Sequence, residues 1–255
     1  MIGAFEWVLL VFATFAGALI QAATGFGFAI VAAPFFLAAI DSTVAVPLLV
    51  MLHIVQSAML VPRIWLEIPG RHLRALLIGA AVGCPAGLVL FLAADVRSLK
   101  LLAGIVILAA SLLLLIRQKR KVFTTGAPSG PISQPRDLPL IVTGAVSGAM
   151  TALLVMPGPP LMIWLMGAHL PAVATRALSL SFFAACYVVV GVLSIAAGQL
   201  GPAEWGMAAV LSPLVVAGTI GGARLAGRMG EARFRTVLLV LLILSGLGAL
   251  LSVWI

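Results

Sequence analysis

Apolar residues run almost unbroken from Phe5 to Ile40, and the polar interruptions are bunched: Gln21, Thr24, Gly25 and Gly27, with Pro34 beyond. Thirty-six residues are too many for one membrane span and about right for two short helices folded back on each other. Half of that length reaches roughly 27 Å at ~1.5 Å per residue. Glycine at lipid depth frees N–H and C=O groups that hydrocarbon cannot satisfy, so the break has to face protein or a watery cavity. Transporters place substrate sites at such breaks. Further apolar runs predict spans at about 44–61, 73–94 and 99–116, with Asp41, Ser42 and Thr43 as a loop and N-cap before the first of them. The stretch 62–74 carries Arg63, Glu67, Arg71, His72 and Arg74 and reads as interfacial.

The pattern then repeats. Residues 117–137 form a basic stretch followed by Gly, Pro and Ser, which marks a flexible linker. A second long apolar segment at 138–168 is interrupted by Pro157, Gly158, Pro159 and Pro160, and spans at about 173–197, 203–226 and 234–254 follow. Three units result: an N-terminal transmembrane repeat (1–117), a linker (118–137) and a C-terminal transmembrane repeat (138–255). A faint echo, Gly17 to Gln21 before the first break and Gly144 to Gly148 before the second, supports the duplication.

Composition settles the class. Of 255 residues, 63% are hydrophobic and 9% charged, and mean hydropathy is +1.26, so the chain is an all-α polytopic membrane protein. In so apolar a chain the net charge of +8 marks cytoplasmic loops rather than nucleic-acid binding. Cys84 and Cys186 fall inside predicted helices, which disfavours a disulfide framework, and no Lys or Arg precedes the first apolar run, which argues against a cleaved signal peptide. If each broken segment is a hairpin, 13 of the 15 Lys and Arg fall on one side, leaving only Arg97 and Lys100 opposite. If each crosses once, the split is 8 to 7. The positive-inside rule selects the hairpins, with both termini periplasmic and the linker cytoplasmic. Each half then crosses an odd number of times, which makes the pair an inverted repeat with its breaks near the midplane.

A broken helix presents unpaired N–H groups and a partial positive charge at the gap, so two such ends meeting would hold an anion. The first half offers Thr24, Gly25, Phe26, Gly27 and Phe28, and the second Gly158 and the residues after Pro160. Pro159 and Pro160 suit a first helical turn but donate nothing. The alternative for these glycines is close helix packing. Gln21 and Thr24 share a helix face and point either into the cavity or across a helix interface; Thr151 is a further side-chain candidate. His53, with Gln56 and Ser57, makes a polar stripe inside a span; it is a substrate or proton-coupling candidate, or else a neutral histidine bonded to a carbonyl. Arg176, with Thr175 and Ser179, either counters a bound anion or snorkels to the interface.

No acid falls near the centre of a span, which disfavours cation transport, and the three histidines are too scattered for a metal site. No nucleotide-binding motif, serine–histidine arrangement or cofactor motif argues for an enzyme.

The run Gln21-x-x-Thr-Gly-Phe-Gly-Phe-x-x-Val-x-x-Pro34 resembles the first signature of the TauE/SafE sulfite exporter family (the TSUP permeases). Gly144-x-x-x-Gly148 with Gly158-Pro159-Pro160-Leu161 resembles that of its second half, with Pro157 standing where the family commonly has glycine. The resemblance implies movement of sulfite or organosulfur anions such as sulfonates and sulfoacids across a bacterial inner membrane. The expected function is therefore a secondary transporter of such an anion, export favoured, by alternating access, with the anion and the lipid bilayer as partners. A small-anion channel and a non-transporting assembly protein are the alternatives. The sequence leaves oligomeric state and coupling ion open.

Overall fold

A computed structural model describes residues 3–95, isolated positions between 98 and 112, residues 137–168 and residues 170–226. The predicted spans at 99–116 and 234–254 and the linker lie largely or wholly outside these described residues. The elements are α1 (Ala4–Thr24), α2 (Phe28–Ala39), α3 (Ser42–Leu60), α4 (Gly70–Ala93), α5 (Asp137–Leu154), α6 (Gly158–Gly167), α7 (Ala172–Ala196) and α8 (Pro202–Ala226). Two 3-10 turns, Val61–Arg63 and Trp65–Glu67, join α3 to α4. Six of the described helices are long and apolar enough to cross a membrane. Their outer faces carry Phe5, Val8, Ile78, Val82, Val89 and Val192, while Gln21, His53, Gln56 and Thr151 are buried. Apolar side chains outside and polar ones inside is the arrangement a lipid solvent demands.

Both expected breaks are present, but the first segment divides unequally. α1 has 21 residues, about 31 Å, and α2 has 12, about 18 Å. α2 folds back along α1: Phe12 meets Phe35 edge-on at 5.9 Å, a side chain on Gly17 would touch Ala32, and Gln21 bonds Phe28. The hairpin is thus one long arm and one short one, because Gly25 and Gly27 set the turn well past the middle. α3 opens at Ser42, two residues earlier than expected, with Asp41 as its N-cap. That cap is made by the backbone, Asp41 O accepting from Val44 and Ala45 N–H.

Glycine decides how the helices pair. A Cβ on Gly79, Gly83 or Gly87 of α4 would strike the carbonyl oxygens of Ile141, Ala145 and Ala149 on α5. On α8, Gly218 and Gly222 stand in the same relation to Phe15 O and Leu19 O of α1. Small residues at four-residue spacing let backbones touch where lipid supplies no hydrophobic drive. Both pairings run parallel, since residue numbers rise together along each. The two crossings correspond residue by residue: Phe15 and Ala145 each stand nine residues before a helix end, Leu19 and Ala149 five before it. The sequence echo is out of this register, which sets Gly148 against Ala18 and Thr151 against Gln21.

These contacts fix which helix ends lie together. Ala22, Leu60 and Leu180 cluster with Ile64, so the ends of α1 and α3 meet the first part of α7. Arg71 pairs with Asp137 at 3.5 Å, joining the starts of α4 and α5 at that same end, beside the turns after α3. Every described arginine (Arg63, Arg71, Arg74, Arg176 and Arg224) belongs to this end of the bundle. Glu6, Asp41, Asp95 and Glu204 belong to the other.

Candidate functional site

The two helix breaks meet. α1 stops at Thr24 and α2 starts at Phe28; α5 stops at Leu154 and α6 starts at Gly158, so the gaps have equal length. Gly25 closes α1 in the left-handed region at φ 88°, its N–H donating to Gln21 O at 2.8 Å. Gly27 opens α2 at φ 110°. These two positions require glycine, because an L side chain there is strained. Thr24 Oγ1 lies 2.9 Å from Ile20 O, beside Phe26 O, and accepts from Phe26 N–H at 3.2 Å, so it holds the turn together.

The second break uses different residues in the same places. Val155 stands where Gly25 does and carries φ 58°, an unfavourable conformation for a β-branched residue. Pro157 stands where Gly27 does, with φ −71°, since its ring forbids a positive angle. Pro157, Pro159 and Pro160 have no N–H, so in the first turn of α6 only Gly158 can donate. In the first turn of α2, Phe28, Ala29 and Ile30 all carry one.

Between the breaks lies a cavity lined by Gln21, Phe26, Gly27, Ala29 and Ile30 from the first half and by Val155, Met156, Pro157 and Gly158 from the second, with Phe183 and Tyr187 of α7. Its free space is about that of one water molecule. Gln21 is its polar centre. The side chain is 2% exposed; Oε1 accepts from Phe28 N–H at 3.2 Å and so caps α2. Nε2 is buried with no protein partner. A buried amide donor left empty costs about 1–3 kcal/mol, which any acceptor delivered to the cavity would recover. No carboxylate lines the space, and Gln21 Nε2, Gly158 N–H and the N–H groups of Ala29 and Ile30 stand at its wall as donors.

Of the residues singled out from sequence, Gln21, Phe26, Gly27 and Gly158 line this cavity, and Thr24 and Gly25 shape its turn. The others stand elsewhere. His53 lies one ring behind, between Phe28 (4.3 Å) and Tyr187 (4.2 Å), with Nδ1 2.7 Å from Leu49 O and Nε2 unpartnered. Gln56 ties three helices together, Nε2 donating to Ala18 O at 2.8 Å and Thr219 Oγ1 at 3.3 Å. Thr151 and Ser179 donate back into their own helices, to Ser147 O at 2.7 Å and Thr175 O at 2.9 Å. Pro159 and Pro160 sit in the first turn of α6 but not against the cavity. Arg176 neither lines the cavity nor simply snorkels: it crosses to α1 and donates to Ala22 O at 2.7 Å.

Sequence reasoning missed Tyr187, whose hydroxyl lies 3.5 Å from Val155 O, and Phe183. Tyr187 is the chain's single tyrosine, and a lone polar-tipped aromatic inside a span was the available signal. Nothing in the sequence marks Val155. Among the described residues no group of His, Cys, Asp and Glu could hold a metal ion.

A family model described as "Sulfite exporter TauE/SafE" matches residues 9–249, nearly the whole chain. Searches of curated proteins and of solved structures return no match.

Proposed function

The chain belongs to the sulfite exporter TauE/SafE family, and from that premise we propose that it is a secondary transporter of sulfite or a small organosulfur anion, export favoured, working by alternating access. The observation that carries the proposal is the unpartnered amide of Gln21, buried between two helix breaks with no carboxylate in the lining. An anion is the guest that such a site accepts. The free space between the breaks holds about one water molecule, whereas sulfite has four heavy atoms. Loading therefore requires the breaks to separate, as a carrier's would, and a permanently open pore is the less favoured reading.

We read the two halves as an inverted repeat. Support comes from the parallel pairing of α4 with α5 and α1 with α8, which exchanges the halves and makes α5 run against α1. The tight glycine crossings make these cross-pairs, rather than the halves themselves, the natural units of motion. The arginine-bearing end is proposed to be cytoplasmic, which puts the start of α1 on the periplasmic side of a bacterial inner membrane. The linker 118–137 then joins the halves on the cytoplasmic side. Within the site, Gln21 and the first turn of α2 hold the oxygens, with Gly158 opposite. His53 is close enough behind Phe28 and Tyr187 to serve as a proton-coupling group.

Thermal unfolding of the purified protein with sulfite, taurine, sulfoacetate and sulfolactate tests this. A ligand at a hundredfold its Kd adds about 2.7 kcal/mol, a shift of several degrees for a chain of this size. Stabilisation by at least one of these anions is expected. Stabilisation only by a cation or a neutral solute would overturn the proposal, and saturable counterflow in liposomes would separate a carrier from a channel.

A further inference from the structure

Arg176 stands at the start of α7, yet its guanidinium reaches the far end of α1. It donates to Ala22 O at 2.7 Å, a carbonyl in the last turn of α1 that has no acceptor role within its own helix. Its methylenes lie over Gly25, where an added Cβ would come within 2.9 Å of Cγ. Nε is buried without a partner. Among the described residues no carboxylate pairs with Arg176. Directly around it Ala22, Leu60 and Leu180 form a small apolar cluster with Ile64, separate from the main core. This assembly occupies the arginine-bearing end of the bundle, between that face and the break at Gly25 to Gly27.

We propose that Arg176 is a latch: by holding the end of α1 against α7, it keeps the cavity closed toward the arginine-bearing face, and its release opens that side. The chemistry of release follows from what the guanidinium holds. A neutral carbonyl occupies one arm of a planar fork made for two oxygens. A sulfite or sulfonate arriving from that face offers two charged oxygens and displaces Ala22 O, which frees α1 to move as the anion passes to Gln21. Gly25 then has a second reason to be glycine, since any side chain there would push the latch away. Arg176 in this role positions α1 and meets the anion before the cavity does. The inference rests on the transport reading, and its test is chosen to fail separately.

The test is sidedness of access. A cysteine reporter at the cavity (Met156→Cys, with Cys84→Ala and Cys186→Ala) is treated with a charged, membrane-impermeant methanethiosulfonate in vesicles of either orientation. With Arg176 intact, labelling from the arginine-bearing face is expected to be slow. R176Q is expected to speed labelling from that face about tenfold and leave the other face unchanged, with R176K between the two. If R176Q does not reach the membrane, R176K carries the comparison with native. Equal rates for native and variant from the arginine-bearing face would overturn the latch while leaving the cavity standing, provided the opposite face still labels. Acceleration from both faces would mark a merely loosened fold and also overturn it. A reporter unreachable from either face in every background would overturn the latch and the cavity together.

Discussion

At the scale of single residues, Gln21 carries two jobs on one amide. Oε1 caps the first N–H of α2 and Nε2 is the free donor in the cavity. Gln21→Leu loses both: the lost cap costs about 0.5–2 kcal/mol, removal of the empty buried donor returns about 1–3 kcal/mol, so stability without ligand should stay near native while anion binding is lost. Gln21→Glu keeps an acceptor for Phe28 and places a negative charge where the anion must sit. Its unfolding temperature should fall in the absence of ligand, because the buried carboxylate loses its hydration, and the shift produced by sulfite should disappear. Val155 stores strain at the position where the first half uses glycine. Val155→Gly relieves that strain but deletes a fully buried side chain from the core, so the protein should lose about 1–3 kcal/mol in thermal unfolding, less than the same deletion costs at an unstrained core valine. The sequence exposed Gln21 because a polar side chain in an apolar run needs a reason. It could not show that Thr151, in the equivalent place, turns its hydroxyl back to Ser147 O. A threonine in a helix can always satisfy itself that way, and one-dimensional spacing does not record the choice.

At the scale of elements, the glycines divide by use, and the division is testable. Gly83 and Gly222 sit at backbone contacts on corresponding crossings. Gly83→Val and Gly222→Val should each destabilise by about 1–3 kcal/mol, as overpacking does, read by thermal unfolding in detergent. Gly158 meets only Phe183 at 3.8 Å, so Gly158→Ala should stay within about 1 kcal/mol of native, whereas Gly158→Leu should fill the cavity and stop transport in a protein that still folds. Among the described residues the order of the helices was legible because apolar run length is set by membrane thickness. The unequal division of the first hairpin was not, because hydropathy registers that a run is too long but not where it turns. The turn itself was marked, by the two glycines.

At the scale of the whole molecule, the charge count along the chain and the packing of the helices agree for the five described arginines, which share one end of the bundle, and they are independent observations. The first uses only loop composition; the second uses contacts such as Ala22 with Leu60 and Leu180. What the linear pattern could not reveal was how helices far apart in sequence interlock, since among the described residues α1 packs tightly on α8 and α4 on α5. For an anion leaving an inside-negative cell, the membrane potential supplies ~2.3 kcal/mol per charge per 100 mV, roughly a 50-fold gradient at equilibrium. Efflux from vesicles should accordingly fall when the potential is collapsed and should need no imposed proton gradient. An absolute requirement for such a gradient, lost in His53→Asn, would instead assign coupling to His53. In the proposed cycle an anion crosses by way of the Gln21 amide between the two breaks. Counterflow of labelled sulfite in liposomes bearing native protein or Gln21→Glu measures that directly: native protein should exchange sulfite saturably and the folded variant should not, whereas equal exchange by both would contradict it.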